Sequence, residues 1–497
     1  MTAWLLCFVL ASAPAAYGLP GAGPAGVEAG VDPPQQLPDP QAKPERPPPD
    51  PPQEPAEQRP LNPTQEIAKE QPEGDALAVG PAQLRIGGYV GLTGIYRSTN
   101  SGGSPGTRFG AIPFEDTVQG NVSETRLSAQ ASRVSIRVDS SFLPEEGPRF
   151  RRLSGYFEMD FNGSTPGTVA VTSSSVGFRL RHAFAEVKYR DTFFLAVGQA
   201  FTLMTPAKNQ LSIWPADVEM SQAVDTNYLA GMVWERVPQF RLAWRPSARF
   251  NWAVAAENPE QQIGNAVALP VCCASDLELQ YNTGSDELSV PNLMPDFVTR
   301  VAINPGKAFH LDVGGVLRVF RHTVAPYDES FREVGGGANV NVSVSPTGTT
   351  KLILQIASGP GLGRYVGGLV PDVVFRRDGS ISLIGGTSWV GGLEQRISSR
   401  ASLAGYYSGV DIDDNFDLDT DGSYIGYGFP GASNASNRTI KELTATFSYL
   451  AARTEDRGSV QLGIQTSWLK RRPWSPGDGP ESADAFMLFA QLRYNLP

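Results

Sequence analysis

The sequence predicts an all-β fold: a transmembrane antiparallel β-barrel of about sixteen strands, preceded by a disordered Pro-rich extension. Three observations carry that expectation. Amphipathic segments recur from Leu84 to Leu496, with apolar and polar residues alternating at the period of a strand. The connections alternate in length. Tyr189-Arg190-Asp191-Thr192, Asn304-Pro305-Gly306-Lys307, Ser345-Pro346-Thr347-Gly348 and Thr454-Glu455-Asp456-Arg457-Gly458 are tight, whereas 258–296, 359–380 and 411–439 are long and polar. No apolar run beyond the extreme N-terminus is long enough to cross a bilayer as a helix. A soluble sandwich has no reason to gather its long loops at one end. A membrane barrel does, because its periplasmic turns are short and its outward loops long. A mean hydropathy of -0.21 is no objection, since lipid-facing and water-facing residues cancel along each strand.

Residues 1–18 read as a secretory signal. Trp4 to Leu10 form an apolar core and Ala16-Tyr17-Gly18 a small-x-small cleavage site, although no Lys or Arg precedes them. Residues 19–80 are a Pro-rich tract centred on Pro47-Pro48-Pro49-Asp50-Pro51-Pro52. Proline has no amide donor and a fixed φ, so this tract cannot join a ladder and is expected to be extended. It reads either as a periplasmic spacer in contact with cell wall or a partner, or as a disordered leader. Residues 81–497 form the barrel domain.

Charge divides along the same boundary. Residues 19–80 hold eleven acids and four bases, and residues 81–497 hold 40 acids and 37 bases. Six of those 40 acids lie between Asp411 and Asp421, so the rest of the barrel is net basic. For a permeating solute the local sign is the one that matters. Cys7 falls in the signal, which leaves Cys272 and Cys273 adjacent in a long loop. They read as a vicinal disulfide or as two incidental thiols, not as a disulfide framework.

A naive pass finds seventeen strands, which would put the termini on opposite sides and exchange long and short connections midway. Merging the stretch before Trp244 into one strand removes both conflicts. The sixteen are then 84–97, 123–139, 153–162, 177–190, 192–201, 236–245, 249–257, 297–304, 307–320, 332–344, 348–358, 382–394, 397–409, 440–452, 458–470 and 483–496. Sixteen is also a count at which barrels leave an aqueous channel. Tyr96, Tyr189, Trp244, Trp252, Tyr407, Tyr449, Trp468 and Tyr494 stand near strand ends, where interfacial girdles form.

Alternation then assigns the lumen. Val134, Ile136 and Val138 face outward, which turns Arg133, Ser135 and Arg137 inward. The same logic places Arg241, Arg245, Arg249, Arg300 and Arg318 inside, opposed by Glu158, Asp160, Glu257 and Asp312. Guanidinium groups stay charged and grip carboxylates in a fork, so a ladder of them lowers the barrier for anions. The plainer reading is that these arginines pair with those acids and brace the wall. Strand 177–190 resists assignment, because Arg179 and Arg181 share parity with Val187 and Tyr189.

The connection 202–235 has the length and mixed character of a loop folded into the pore, with Lys208, Asn209 and Asp217 as candidate constriction residues. Asp417, Asp419 and Asp421 match the first half of a calcium loop, but Gly428 stands where the bidentate Glu is expected. They are candidate external calcium ligands, or simply part of a solvated acidic loop. His182, His310 and His322 lie on separate segments, and no catalytic spacing, cofactor motif or nucleic-acid motif stands out. The expectation is no enzyme and no cofactor.

Several segments carry a resemblance. Gly155-Tyr156-Phe157-Glu158-Met159-Asp160-Phe161, Arg179-Leu180-Arg181-His182-Ala183-Phe184, Gly198-Gln199-Ala200-Phe201, Phe240-Arg241-Leu242 and Ala253-Val254-Ala255-Ala256-Glu257-Asn258-Pro259 resemble the DcaP-like porins of Gram-negative outer membranes, over roughly residues 84–497. The resemblance implies a sixteen-stranded homotrimer that passes small anionic solutes such as dicarboxylates, with a periplasmic N-terminal extension. Here that extension is Pro-rich rather than coiled-coil, and Pro497 follows the terminal alternation where an aromatic residue is usual. A passive outer-membrane porin is therefore expected; the alternative is a barrel serving as adhesin or cell-wall anchor. A folded N-terminal plug, which an energy-coupled transporter needs, cannot be made from 19–80.

Overall fold

The computed structural model describes residues 76–102, 105–141, 150–164, 175–283, 290–328, 330–454 and 457–497. The expected signal and nearly all of the Pro-rich tract lie outside these residues. Sixteen strands form one closed antiparallel barrel. They are β1 (Ala82–Arg97), β2 (Glu124–Ser128 continuing as Arg133–Ser141), β3 (Phe150–Asp160), β4 (Arg179–Tyr189), β5 (Phe193–Phe201), β6 (Arg236–Ser247), β7 (Phe250–Glu257) and β8 (Asp296–Gly306). The second half comprises β9 (Phe309–Thr323), β10 (Ser330–Val344), β11 (Thr350–Pro360), β12 (Gly385–Arg396), β13 (Ala401–Ile412), β14 (Asn437–Thr454), β15 (Gly458–Pro473) and β16 (Ala483–Asn495). Each pairs with its sequence neighbours, and β1 closes the ring on β16 from Tyr89↔Asn495 to Arg97↔Met487. Both segments of β2 pair with β1, so the break at 129–132 interrupts one strand rather than adding another.

The burial pattern inverts that of a soluble protein. On β15, Leu462, Ile464 and Trp468 are 42–46% exposed, while Gln461, Gln465 and Ser467 are 5% exposed or less. Phe486, Leu488, Leu492 and Tyr494 of β16 likewise face out, and Met487 and Phe489 face in. Apolar residues outside and polar residues inside make a belt that a bilayer covers. Tyr96, Trp244, Trp252, Tyr407, Trp468 and Tyr494 are exposed on that outer surface, as expected of a girdle.

The short connections 190–192, 248–249, 307–308, 345–349 and 397–400 share one end of the barrel. The long ones, including 202–235, 258–295, 361–384 and 413–436, leave from the other. Three of these fold together over the mouth. Hairpins Val373–Phe375/Ile381–Leu383 and Asn415–Leu418/Tyr424–Tyr427 and the short helix Ala274–Glu278 pack Tyr281, Tyr365, Phe375 and Tyr427 into a buried cluster. Arg318 ties that cap to the wall, pairing with Asp296 at 3.1 Å and Asp372 at 2.6 Å. Cys272 and Cys273 are joined as a vicinal disulfide within the cap.

Three local expectations change. Arg249 belongs to the exposed turn between β6 and β7 rather than to the lumen face. Leu77–Val79, at the end of the expected extension, is itself a short strand that pairs back on Ala82–Leu84. The parity conflict in β4 is a β-bulge. Opposite β3, Met159 pairs Leu180 while the next residue, Glu158, pairs His182, which leaves Arg181 as the extra residue. A bulge shifts the alternation by one. Arg179, Arg181 and His182 therefore all turn inward, as do Phe184 and Glu186 beyond them.

Candidate functional site

Segment 202–235 runs through the barrel interior. A chain there must find partners for its amides and carbonyls away from bulk water, and the inward polar residues of the wall supply them. Thr202 Oγ1 and the Leu203 amide donate to Glu257 on β7 at 2.6 and 2.7 Å. The Met204 carbonyl accepts from Arg300 Nη1 at 2.6 Å, and the Ala207 amide donates to Asp312 Oδ2 at 3.2 Å. Asn251 and Asn304 donate to the Asn209 carbonyl at 3.0 and 2.9 Å, and Arg241 to that of Ser212 at 3.2 Å. Across the lumen, Lys351 pairs with Glu219, and the Gln222 amide donates to Tyr406 Oη at 2.9 Å. The Asp225 and Ala230 amides donate to Gln465 at 3.0 Å and Glu442 at 2.8 Å. The loop thus touches walls from β6 round to β15.

One approach is backbone on backbone. Gly231 has φ +78°, and a Cβ there would stand 2.2 Å from the carbonyl oxygen of Gly409 on β13. No L side chain fits this contact without moving the loop.

These anchors engage several of the residues expected to line a pore. Arg241, Arg300, Arg318, Asp160, Asp312 and Glu158 are all 7% exposed or less. Arg300 is paired with Asp312, and Arg241 donates to the Phe201 carbonyl at 2.7 Å. Arg245 packs over the Phe194 ring at 3.8 Å. Their contacts are with the wall and the loop. Arg133 and Arg137 are the exceptions, with side chains 29% and 35% exposed. Among the constriction candidates, Asp217 accepts from the amides of Asn209, Gln210 and Ser212 and so staples the loop to itself. Lys208 donates to the Ala216 carbonyl at 2.8 Å, and Asn209 serves through its carbonyl.

What the fold does gather is a basic cluster beside the loop. Arg179 and Arg181 pair with Asp160 at 2.7 and 2.9 Å, and Arg181 also with Glu158 at 2.6 Å. Arg133 lies 3.7 Å from Glu158. Arg133 and Arg493 share the Tyr89 ring at 5.5 and 4.7 Å. Arg236 rests over Trp234 at 5.2 Å and Phe201 at 5.7 Å. Five guanidiniums thus stand against three carboxylates, Glu158, Asp160 and Glu235, the last of which acts on Arg236 and Arg179. Tyr228 of the loop reaches in, its hydroxyl 3.4 Å from Arg181 Nη2. Burial pushes its phenol up, but the charges of Arg181, Arg133 and Arg236 outweigh that and hold it down to about 8. Strand alternation could have found Arg493, which lies between outward Leu492 and Tyr494. Nothing local marks Tyr228, which owes its place to the path of the loop. Arg236 opens β6 opposite Phe201 and shares the parity of outward Phe240 and Leu242, so alternation does not turn it inward.

The candidate calcium ligands do not converge. Asp419 accepts from the Val271 amide at 2.7 Å, Asp421 from Ser423 at 2.6 Å, and Asp417 points toward Arg376 at 4.0 Å. Among the described residues no three His, Cys, Asp or Glu side chains are grouped to hold a metal. Asp421 caps its own turn, as Asp does in tight loops, while Asp419 and Asp417 are turned to partners on other loops.

No family model and no curated protein matches the sequence. Solved structures do match. The outer membrane channel DcaP of Acinetobacter baumannii aligns at 16% identity and a TM-score of 0.60, over 85% of this chain and 99% of that one. An anion-selective porin from Comamonas acidovorans aligns at 10% identity and 0.47, covering 84% and 100%. OprB of Pseudomonas putida aligns at 9% and 0.45, covering 83% and 94%. The chain shares the fold of DcaP, and the resemblance read in its strand segments holds at that level.

Proposed function

We propose that this chain is a passive diffusion channel of a bacterial outer membrane that favours small anions, dicarboxylates among them. The observation that carries the reading is the basic cluster of Arg133, Arg179, Arg181, Arg236 and Arg493 beside a loop folded into a closed sixteen-stranded barrel. A narrowed aqueous passage flanked by excess positive charge admits anions at a lower barrier than cations. The wall arginines Arg241, Arg300 and Arg318 contribute by holding that loop rather than by meeting solute. The shared DcaP fold supports the same placement, with the short turns and the 19–80 tract on the periplasmic side and three copies associated through the apolar belt.

Single-channel recording of the folded protein in planar bilayers tests the proposal. Stepwise conductance is expected, with a reversal potential under a salt gradient displaced toward that of the anion. Folded protein with no conductance steps would remove the channel reading. A reversal potential on the cation side would remove the anion preference.

A further inference from the structure

On the long-loop side of β14, β15 and β16 the apolar belt ends in one outward row, Leu443, Trp468 and Phe486, paired across the ladder. The next outward row is charged. It sets Lys441 directly opposite Lys470, and Lys470 opposite Asp484. One row further, Arg472 stands opposite Thr439. Beside them, at the bulge between Asn437 and Thr439, the exposed Arg438 rests on the Trp474 ring at 4.9 Å.

Like charges directly opposite in an antiparallel pair repel, and the acids of these rows do not cancel them. Asp484 lies 3.5 Å from Lys470, and the exposed Asp411 on β13 stands opposite Thr439, diagonal to Lys441. Among the described residues neither Lys441 nor Arg472 forms an ion pair. In these rows four cations thus face two acids. Snorkelling accounts for a lone lysine at the margin of a belt. It does not account for two in register, whose repulsion an anion between them relieves. A second pair, Arg321 opposite Arg332 next to outward Val319 and Val334, repeats the arrangement on β9 and β10. Its following row, Thr323 and Ser330, adds no third cation.

From this we infer that Lys441, Lys470 and Arg472 bind the phosphomonoester headgroup of a lipid in the leaflet on the long-loop side. A phosphomonoester carries about two negative charges and three strong acceptor oxygens. Two ammonium groups and a guanidinium at the edge of the hydrocarbon match it in charge and in donors. The acyl chains lie along Leu443, Trp468 and Phe486, the row beneath. These side chains face lipid and not the lumen, so the inference stands apart from the channel reading.

The test uses the full chain in detergent, titrated with dioleoyl phosphatidic acid, phosphatidylglycerol and phosphatidylcholine, whose acyl chains are the same. Bound lipid is followed by native mass spectrometry. Phosphatidic acid, the one phosphomonoester, should bind at least about tenfold tighter than either of the others. The double variant Lys441→Gln/Lys470→Gln should weaken it about tenfold. Lys441→Arg/Lys470→Arg should retain it, which separates lost charge from a folding defect. Single-channel conductance of Lys441→Gln/Lys470→Gln should match that of the parent. No preference for phosphatidic acid, or a preference that survives Lys441→Gln/Lys470→Gln, overturns the inference. An equal loss in Arg321→Gln/Arg332→Gln would assign the effect to overall charge at the rim and overturn it as well. Displacement of the lipid by equimolar inorganic phosphate would make this a free-anion site, and the lipid assignment would fall. A changed oligomeric state in Lys441→Gln/Lys470→Gln with lipid binding unmoved would mark the face as an interface between copies, and the inference would fall. If the parent shows no conductance, the channel reading falls and the lipid titration still judges the site.

Discussion

The Met204 carbonyl accepts a hydrogen bond from Arg300 Nη1 at 2.6 Å, and the same guanidinium is paired with Asp312. An arginine that alternation places in the lumen is thereby occupied by the loop that crosses it. Arg300 and Asp312 are both fully buried. Removing one partner of such a pair leaves the other uncompensated, at a cost of about 3–5 kcal/mol. Arg300→Gln should therefore lower the midpoint of heat- or urea-induced unfolding and make single-channel currents noisier as the loop loosens. Unchanged unfolding with quiet channels would show that the loop is held elsewhere.

Arg133 keeps nearly a third of its side chain open and stands on the side of the cluster with excess positive charge. Its charge is worth about 1 kcal/mol to an anion at contact distance in a wet passage. Arg133→Gln should reduce the anion-to-cation permeability ratio about fivefold, read from the reversal potential. Arg249→Gln should leave that ratio unmoved, because Arg249 sits in the exposed turn between β6 and β7.

Tyr228 introduces a pH dependence. Its phenol, ordinarily at 10, is held to about 8 beside Arg181. Protonated at neutral pH, it becomes an anion as pH rises through about 8, adding negative charge to the cluster. Anion selectivity should fall between pH 7 and 9, and Tyr228→Phe should flatten that profile. Because the folded state favours the ionised phenol, the same titration should add stability as pH rises from about 8 to 10. A profile unchanged in Tyr228→Phe would assign the transition to another group.

Gly231 tests the seating of the loop. A methyl group there would stand 2.2 Å from the Gly409 carbonyl oxygen, at a backbone φ of +78°. Gly231→Ala should cost about 1–3 kcal/mol by overpacking. Its conductance should differ from that of the parent channel, since the loop must shift off β13. Parent-like conductance and stability would mean that the contact yields without consequence.

The strand framework was legible because its cause is local. A strand exposed to lipid on one face and water on the other must alternate, and short turns must alternate with long loops. That pattern is written residue by residue in segments such as 458–470. The same rule led to sixteen strands and to the inward direction of Arg133, Arg137, Arg241, Arg300 and Arg318. In β4 it registered only a conflict of parity between Arg179/Arg181 and Val187/Tyr189, which a bulge at Arg181 and His182 resolves by adding one residue.

The sequence by itself determined the closed barrel, its girdle, the end from which the long loops leave, and the facing of most side chains. Only the tertiary structure decided which inward arginines remain open to a solute and which hold the 202–235 loop. Facing depends on the period of two along one strand, so neighbouring residues reveal it. Availability depends on what lies opposite across the lumen, as when Arg300 meets Met204 or Ala230 meets Glu442. Those partners are about a hundred or two hundred residues apart, and no local pattern encodes their meeting.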